Sequence, residues 1–405
     1  MQIQTLKGFR DFISLEARKR QYVINTWQKV FESFGFEPLV TPTLEYDEIL
    51  TGKYGEEGEK LMYRFEDNGG RKVAMRYDQT VPTARVVAQY SGQLPIPYKR
   101  YQIQNVFRAD NTQRGRYREF TQCDFDIIGI DTPQADAEIV ATTYAAYKAL
   151  GFSSIKLLLN DRAVFEGLTP TTIAIIDKLK KIGEDGVVKE LVARQEYKTP
   201  EEAKNILTSV VDSQPTPRLQ DIMTFAEKMG VPNDALVFYP ALARGLDYYT
   251  GMIFEVEIDE YTVGSVAGGG RYDKLIGMFA GKDVPATGIA LGFDRTIDAL
   301  EQFNLFPQEV TSASAKVLVT IFNKELESKS LQIATQLRLK NIDTELWLEQ
   351  DAKMEKQLKY AIAKDIPFVI IVGPEEAEKN VVTFKNLLTR EQSTLPLEEV
   401  IEKLQ

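Results

Sequence analysis

Two strand-like runs joined by a short polar loop constrain the fold of this chain more than any other feature. Residues 98–108 and 120–128 both read as β-strands, and the loop between them contains the polar, glycine-bearing sequence NTQRGR at 111–116. Strands joined by so short a connection pair antiparallel as a hairpin. Since 71–76 also reads as a strand and 135–150 as a helix, we expect an antiparallel sheet with helices in the first region.

The rest of the chain divides into segments of different character. The segment after about residue 160 is helical, charged and broken by prolines, and it interrupts the strand-rich part as an insertion would. A glycine-rich stretch, 268–273 (GGGRYD), is predicted to be a turn that also walls a site. From 317 to 372 strands and helices alternate, which indicates a separate α/β domain. The predicted boundaries are 1–160 and 235–306 for a divided first domain, 161–234 for its insertion and 315–405 for the last domain.

A seven-residue stretch, RGLDYYT at 244–250, carries the most chemistry. Arg244 supplies a rigid fork of donors suited to a carboxylate or a phosphate, and Tyr248 and Tyr249 supply flat apolar walls with polar tips. This combination suits a small anionic or zwitterionic ligand. The alternative is a structural turn in which Arg244 and Asp247 form an ion pair, since ion-pair networks imitate functional sites.

The composition excludes several kinds of chemistry. The 405 residues include no histidine and one cysteine, Cys123. Serine–histidine and cysteine–histidine catalysis are therefore excluded, as are an internal disulfide and a cysteine-based zinc site. Cys123 lies in a strand-like run, and we expect it to be a packed small hydrophobe rather than a nucleophile.

Charge and hydropathy indicate the class of protein. We find no apolar run long enough to span a membrane and no signal-peptide pattern, so a cytoplasmic location without membrane association is expected. The net charge of −10 argues against nonspecific coating of nucleic acid. A local basic patch can still bind nucleic acid, because screening acts over about 8 Å at physiological salt.

The motifs, taken in order, resemble those of the class II aminoacyl-tRNA synthetases, and specifically the histidyl-tRNA synthetases. RGLDYYT resembles that family's histidine-specific signature, and the end of the chain, including VTFKNLLTREQSTLPLEEV, resembles its anticodon-binding domain. The other segments that carry the resemblance are TLKGFRDF (5–12), FEPLVTPTLEY (36–46, motif 1), RYDQT (76–80), the block 98–129 (motif 2) and ATGIALGFDRTID (286–298, motif 3).

The resemblance implies both a fold and a reaction. The fold is α+β: a catalytic domain built on an antiparallel sheet of six or seven strands with a helical insertion, followed by an α/β anticodon-binding domain. The reaction is ATP-dependent activation of L-histidine to histidyl-adenylate and transfer to the 3′ end of tRNA(His), by a homodimer that forms through motif 1. Mg²⁺ is expected on the ATP phosphates, held by water and substrate oxygens rather than by a protein metal site. Such a reaction depends on positioning and charge stabilisation and requires no histidine base.

The resemblance also implies roles for individual residues. Arg108 and Arg244 are the implied catalytic residues, because both would contact the α-phosphate. Asp126, Tyr248 and Tyr249 are implied to recognise the imidazole ring. The residues implied for histidine are Asp78, Thr80, Arg108, Gln122, Asp126, Arg244, Tyr248 and Tyr249. Those implied for ATP are Arg108, Asp110, Arg116, Phe120 and Arg295. Those implied for the acceptor end of the tRNA are Gln113, Arg114 and Arg118.

Several alternatives stand beside these roles. Asp126 could simply pair with an arginine, and Arg114, Arg116 and Arg118 could form a solvated hairpin tip. The chain could be a non-catalytic regulatory subunit of ATP phosphoribosyltransferase, a synthetase for proline, threonine or glycine, or a tRNA-binding regulator. The intact RGLDYYT segment disfavours the first two, the C-terminal domain also disfavours the first, and the retained Arg108, Arg244 and Arg295 disfavour the third. One departure from the family is Gln79, at a position where leucine is common.

Overall fold

The computed structural model describes residues 3–52, 59–112, 117–244, 248–311, 313–350 and 352–405. The chain forms two compact units, one of Met1–Ile13 with Arg20–Leu305 and the other of Ser14–Lys19 with Phe306–Gln405. The strands are β1 (Glu37–Pro38), β2 (Leu44–Tyr46), β3 (Arg64–Glu66), β4 (Lys72–Met75), β5 (Tyr98–Phe107), β6 (Glu119–Ile128), β7 (Ile155–Asp161), β8 (Leu236–Phe238), β9 (Met252–Ile258), β10 (Ala267–Arg271), β11 (Ala286–Leu291), β12 (Val317–Val319), β13 (Thr344–Leu346), β14 (Phe368–Ile371), β15 (Val382–Asn386) and β16 (Gln392–Leu395).

The helices, like the strands, are numbered within the described residues. They are α1 (Leu15–Ser33), α2 (Asp47–Leu50), α3 (Thr80–Gln89), α4 (Pro133–Ala149), α5 (Pro170–Ile176), α6 (Leu179–Ala193), α7 (Pro200–Val211), α8 (Pro217–Lys228), α9 (Gly277–Ala280), α10 (Phe293–Gln302), α11 (Gln308–Thr311), α12 (Glu327–Leu339), α13 (Met354–Ala363), α14 (Pro374–Lys379) and α15 (Leu397–Leu404). No helix within the described ranges is both long enough and apolar enough to cross a membrane.

A large sheet forms the centre of the first unit. Its strands run in the order β1-β5-β6-β11-β10-β9-β7-β8. The six inner strands pair antiparallel, whereas β1 and β8 join the two edges in parallel. The antiparallel class II sheet is therefore confirmed, and the two short parallel edge strands bring it to eight strands instead of the six or seven expected.

The predicted hairpin is the longest pairing of this sheet. Strands β5 and β6 pair over ten residues, with Arg100 opposite Asp126, Gln102 opposite Asp124 and Gln104 opposite Gln122. Because side chains alternate between the two faces of a strand, Gln122, Asp124 and Asp126 share one face. The register thus places three polar side chains in a row on the central strand β6.

The prediction that GGGRYD forms a turn is wrong. Gly268, Gly269 and Gly270 lie inside β10, a buried strand that pairs with β9 on one side and β11 on the other. A Cβ at Gly269 would overlap the backbone of β11, and one at Gly270 would overlap the carbonyl oxygen of Met252. The glycines allow the neighbouring strands to approach closely, and they do not change the direction of the chain.

Three helices of the segment between β7 and β8 begin in the same way. Thr169, Thr199 and Thr216 each cap a helix through their side chains, and each is followed by proline at the first helical position. Proline fits there because the first amide needs no helical partner. The segment shares a hydrophobic core with the large sheet, where its Leu191 and Leu207 belong to the same cluster as Leu158 and Ile253.

The second unit is the separate α/β module that the alternating pattern predicts. Its sheet has the strand order β13-β12-β14-β15-β16, with β13, β12 and β14 parallel and the last two strands antiparallel. Helices α12 and α15 contribute Ile333, Leu337, Val400 and Leu404 to its core. The alternating sequence pattern predicts elements only as far as β14, so it does not predict the last two strands, β15 and β16.

Candidate active site

A cavity of about 560 Å³ opens on the large sheet of the first unit. Its walls come from β6, β10 and β11, the start of α3, the start of α10 and the segment around Arg244. This volume lies within the range of small-molecule sites. The predicted residues that line it are Asp78, Thr80, Arg108, Asp110, Phe120, Gln122, Asp126, Arg244, Tyr248, Tyr249 and Arg295.

Asp126 lines the cavity and is already paired. Its Oδ2 lies 2.5 Å from Nη2 of the fully buried Arg100, and its Oδ1 accepts a hydrogen bond from the hydroxyl of Tyr272. A Cβ at Gly288 would overlap Oδ1 of Asp126, so glycine is required on the neighbouring strand. Burial raises the pKa of Asp126, and Arg100 and Tyr272 oppose that rise. The alternative that Asp126 pairs with an arginine is therefore correct, although the carboxylate still faces the cavity.

Asp124 lies two residues before Asp126 and also lines the cavity. Only 3% of it is exposed, and its Oδ2 accepts a hydrogen bond of 2.7 Å from Nε2 of Gln122. Burial raises the pKa of Asp124 to about 7, with Arg100 acting in the opposite direction and Asp126 adding to the rise. Three carboxylates, those of Asp78, Asp124 and Asp126, thus face one part of the cavity.

Arg244 is fixed from behind by a carboxylate that prediction missed. Its Nε donates to Oε1 of Glu255 on β9, and the hydroxyl of Ser265 donates to the other oxygen of Glu255. Burial acts to lower the pKa of Arg244, but Glu255, Tyr249 and Tyr248 together outweigh it, and the pKa is raised. A Cβ at Gly268 would overlap the guanidinium of Arg244, so the glycine of β10 makes room for this cation.

The two tyrosines of RGLDYYT form an aromatic wall. The ring centroids of Tyr248 and Tyr249 lie 4.3 Å apart, and Tyr248 is 41% exposed. Thr250 fixes the end of this segment, because its hydroxyl donates to Asp273 over 2.7 Å and its amide to Arg271. Asp247, the predicted ion-pair partner of Arg244, lies outside the described residues.

Arginines and an aromatic ring also line the cavity. Arg108 donates from Nε to the carbonyl oxygen of Tyr77 over 3.0 Å, and its guanidinium carbon lies 5.2 Å from the ring centre of Phe120. Arg295, in the first turn of α10, donates from Nη1 to the carbonyl oxygen of Ser265 over 2.7 Å. Guanidinium groups and an aromatic ring in one cavity suit a planar, anionic ligand.

The start of α3 supplies the remaining polar groups. The carboxylate of Asp78 accepts from the amide of Val81 over 3.2 Å, and Asp78 and Thr80 both line the cavity. Between them, the fully buried Gln79 donates to the carbonyl oxygens of Gln104 and Gln122 over 3.0 and 2.9 Å. Gln79, which stands where leucine is common in the family, thus joins the start of α3 to both strands of the hairpin.

The residues predicted for tRNA are the least well described. Gln113 and Arg114, together with Arg116, predicted for ATP, lie outside the described residues. Arg118 lies at the base of the loop, where its Nε donates to the carbonyl oxygen of Asp110 over 3.1 Å and its amide to that of Gly8 over 2.9 Å. A Cβ at Gly8 would lie 2.8 Å from the Arg118 side chain, so the KGFRDF segment packs against the loop base.

Sequence reasoning missed several residues that organise the cavity. Alternation along β6 could have found Asp124, because it shares a face with Gln122 and Asp126. The hairpin register could have found Arg100 opposite Asp126. No local sequence pattern identifies Tyr272, Glu255 or Ser265. These residues contact the cavity residues only because of the order of strands in the sheet.

Comparison with known proteins identifies the family to which this architecture belongs. The family description "Histidyl-tRNA synthetase" matches residues 8–182 and 177–296, and "Anticodon binding domain" matches residues 316–405. A histidine–tRNA ligase of Rhodopirellula baltica is 40% identical, with 96% of this chain and 95% of the relative covered. One of Cytophaga hutchinsonii is 36% identical, with 98% of each covered.

The fold agrees with these sequence matches. A histidyl-tRNA synthetase structure from Nostoc sp. PCC 7120 superposes with a TM-score of 0.86 at 28% identity, covering 100% of this chain and 99% of that one. The matches span both the divided first unit and the C-terminal module. The chain therefore belongs to the histidyl-tRNA synthetase family.

Proposed function

We propose that this chain activates L-histidine with ATP and transfers the histidyl group to the 3′ end of tRNA(His). The observation that carries the proposal is that one cavity is lined by both a group of carboxylates and a group of arginines. The carboxylates include those of Asp78, Asp124 and Asp126, and the arginines are Arg108, Arg244 and Arg295. Carboxylates suit the cationic end of an amino acid, and arginines suit a nucleotide polyphosphate.

In the activation step, a carboxylate oxygen of histidine attacks the α-phosphorus of ATP. The bond from that phosphorus to the bridging oxygen breaks, and pyrophosphate leaves with the bonding electrons. Arg108 and Arg244 stabilise the charge that develops on the α-phosphate, because both guanidinium groups are already oriented by hydrogen bonds. In the second step, a tRNA hydroxyl attacks the activated carbonyl carbon and AMP leaves.

The amino acid is held by polar and aromatic residues of the cavity. Asp78, Thr80 and Gln122 bind the ammonium group, and Tyr248 and Tyr249 wall the side-chain pocket in which Asp126 lies. Arg100 favours the charged form of Asp126 and holds its carboxylate in place. A pocket built with fixed polar groups rejects an amino acid that leaves those groups unpaired.

The nucleotide is held by cationic and aromatic residues of the cavity. Phe120 and Arg295 enclose the adenine ring, and Asp110 with Arg116 completes the site. The described ranges contain no group of three or more acidic or thiol side chains arranged to hold a metal ion. Mg²⁺ would bind together with ATP, and it would supply charge neutralisation at the phosphates.

The remaining partners follow from family membership. The residues matched as an anticodon-binding domain, 316–405, would bind the tRNA at a distance from its acceptor end. Gln113, Arg114 and Arg118 would contact the acceptor end. We also propose a homodimer formed through the motif 1 region and a cytoplasmic location, and we propose that the boundaries 1–160, 161–234, 235–306 and 315–405 describe the domains.

Amino-acid-dependent exchange of pyrophosphate into ATP tests this proposal without tRNA. The full-length protein is assayed with Mg²⁺ and each of the twenty amino acids in turn. Exchange with histidine alone is expected, followed by charging of tRNA(His). Exchange with another amino acid would refute the specificity. No exchange from a folded protein would refute the activity and favour the regulatory-subunit alternative, which binding of histidine without turnover would then support.

A further inference from the structure

A chain of ion pairs joins the helical insertion to the large sheet. Arg218, in the first turn of α8, donates from Nη2 to Asp131 over 2.6 Å and to Asp136 over 3.0 Å. Asp136, in the first turn of α4, is fully buried, and Nε of Arg271 on β10 lies 3.1 and 3.2 Å from its two oxygens. One buried carboxylate therefore connects an arginine of the insertion with an arginine of the sheet.

The chain of ion pairs continues from Arg271 to the end of the RGLDYYT segment. Nη1 of Arg271 donates to Oδ1 of Asp273 over 3.0 Å, and the hydroxyl of Thr250 donates to the other oxygen of Asp273 over 2.7 Å. The amide of Thr250 also donates to the carbonyl oxygen of Arg271 over 2.8 Å. A Cβ at Gly251 would lie 3.2 Å from Cδ of Arg271, so the arginine side chain lies against the backbone that follows Thr250.

Arg271 does not line the cavity, but its neighbours in sequence contact residues that do. A Cβ at Gly270 would lie 3.1 Å from Cδ1 of Tyr249, and the hydroxyl of Tyr272 donates to Asp126. Successive side chains of a strand point to opposite faces, which is why the guanidinium of Arg271 reaches the helices while Gly270 and Tyr272 meet the cavity residues. A displacement of Arg271 would therefore move two contacts of the proposed histidine pocket together.

We infer that Arg218, on the helical insertion, is a positioning residue for histidine binding, and that it acts through Asp136 and Arg271. This inference rests on the proposed function and gives the insertion a part in binding the amino acid. Without Arg218, the guanidinium of Arg271 is left as the main partner of Asp136. It is then drawn toward that carboxylate and away from Asp273, which loosens the segment that carries Tyr249.

The test is histidine-dependent pyrophosphate exchange by the full-length Arg218→Ala variant. The Arg218 side chain is 32% exposed, so its removal leaves no core void. The KM for histidine should rise about 3- to 30-fold, the range of coupling through a positioning network. The KM for ATP and kcat should change little, because Glu255 holds Arg244 independently.

Two further variants separate positioning from loss of stability. Arg218→Lys should restore most of the affinity for histidine, because a single nitrogen of Arg218 makes both contacts and an ammonium group can replace it. Thr199→Ala removes the cap of α7 in the same insertion and so destabilises the insertion without touching the ion pairs. It should leave the KM for histidine unchanged. An unaltered KM in Arg218→Ala overturns the inference, and so does an equal rise in Thr199→Ala.

A double variant tests whether the effect travels along the chain of ion pairs. Thr250→Val removes the hydroxyl that joins the RGLDYYT segment to Asp273, and it should raise the KM for histidine by itself. Arg218→Ala should then add little, because residues of one network are not additive. Full additivity of the two substitutions would show that Arg218 acts by another route and would overturn the inference.

Two outcomes need a different measurement. If Arg218→Ala fails to fold, Asp131→Asn replaces it, because its side chain is 55% exposed and meets the same nitrogen of Arg218. A smaller rise in the KM for histidine is then expected, and no rise overturns the inference. If the wild-type protein shows no exchange with histidine, the proposed function fails. Hydrogen exchange of the Thr250 amide then tests the link without activity: it should be faster in Arg218→Ala than in wild type, and equal rates overturn the inference.

Discussion

At the scale of single residues, two charged groups of the cavity, Arg244 and Asp126, are each held by an opposite charge. Glu255 holds Arg244 and is itself held by Ser265, and Arg100 holds Asp126. Orientation is thus fixed before a substrate arrives, which lowers the cost of reorganisation during the reaction. The same arrangement means that the loss of one group leaves its partner uncompensated.

Replacement of Arg244 by alanine should abolish most of the catalysis and leave the fold intact. The guanidinium is 39% exposed and sits on the cavity surface, so its removal creates no core void. We expect kcat for histidine-dependent exchange to fall about 100- to 1,000-fold, with an unchanged circular dichroism spectrum. Arg71→Ala, at an exposed ion pair, is the control. Wild-type exchange in Arg244→Ala would remove this residue from the mechanism.

Asp124 should make the empty protein less stable as the pH rises. Its pKa is about 7 in the folded chain and about 3.9 when unfolded, so the folded state binds more protons between these values. Stability therefore falls from about pH 4 to pH 7 and stays lowered above. Asp124→Asn should raise the melting temperature more at pH 8 than at pH 5, as differential scanning fluorimetry can measure. An equal gain at both values would contradict the raised pKa.

The residues of the site were predictable to the extent that a short segment contains them. Arg108, Gln122 and Asp126 belong to one hairpin, and the structure brings them to one cavity as the resemblance implies. The partners of these residues were not predictable. Tyr272 reaches Asp126 across 146 positions of sequence, and Glu255 is an ordinary acidic residue of an alternating strand until the strand order is known.

At the scale of elements, β10 is a platform whose glycines have different neighbours. A Cβ at Gly268 would overlap the guanidinium of Arg244, which is the end of a flexible side chain. A Cβ at Gly269 would overlap the backbone of β11, which cannot move independently of the sheet. Gly268 therefore leaves room for the side chain of Arg244, whereas Gly269 leaves room for the neighbouring strand.

Alanine substitution should separate these two roles. Gly268→Ala should displace Arg244 and reduce kcat/KM with little loss of stability. Gly269→Ala should lower the free energy of unfolding by about 1–3 kcal/mol, because backbone overlap cannot relax. Urea unfolding and pyrophosphate exchange measure the two effects. Gly92→Ala, which meets no atom within 4 Å, is the control, and equal effects of the two core variants would contradict the distinction.

Local sequence patterns predicted helices and strands correctly where the residues allowed only one interpretation. The strand-like run at 120–128 is strand β6 and the run at 135–150 is helix α4, as predicted. Two signals were ambiguous. Glycines at 268–270 suggest a turn unless the neighbouring strands are known, and Pro200 and Pro217 were read as breaks although each starts a helix after a threonine cap.

At the scale of the whole molecule, the cavity and the C-terminal module belong to different compact units. All residues that line the cavity lie between 78 and 295, and the second unit has its own sheet and core. Units with separate cores generally fold separately. The order of strands in the large sheet could not be predicted, because the parallel pairing of β1 with β5 joins segments about sixty residues apart and leaves no local signal.

Removal of the C-terminal module should therefore separate the two half-reactions. A chain ending at Leu305 should retain histidine-dependent pyrophosphate exchange, because the cavity is complete without residues 306–405. Its charging of tRNA(His) should fall sharply, since the residues matched as an anticodon-binding domain are gone. Both reactions are measured with the same preparation. Full charging by the shortened chain would show that the module is dispensable for tRNA recognition.

The buried pair of Arg100 and Asp126 has a consequence for how this protein can evolve. A neutral residue at either position leaves the other charge buried alone, which costs several kcal/mol. A change at this pair would therefore have to replace residues on both strands of the hairpin together or pass through a poorly folded intermediate. The pair thus limits which single substitutions the folded chain tolerates at this place.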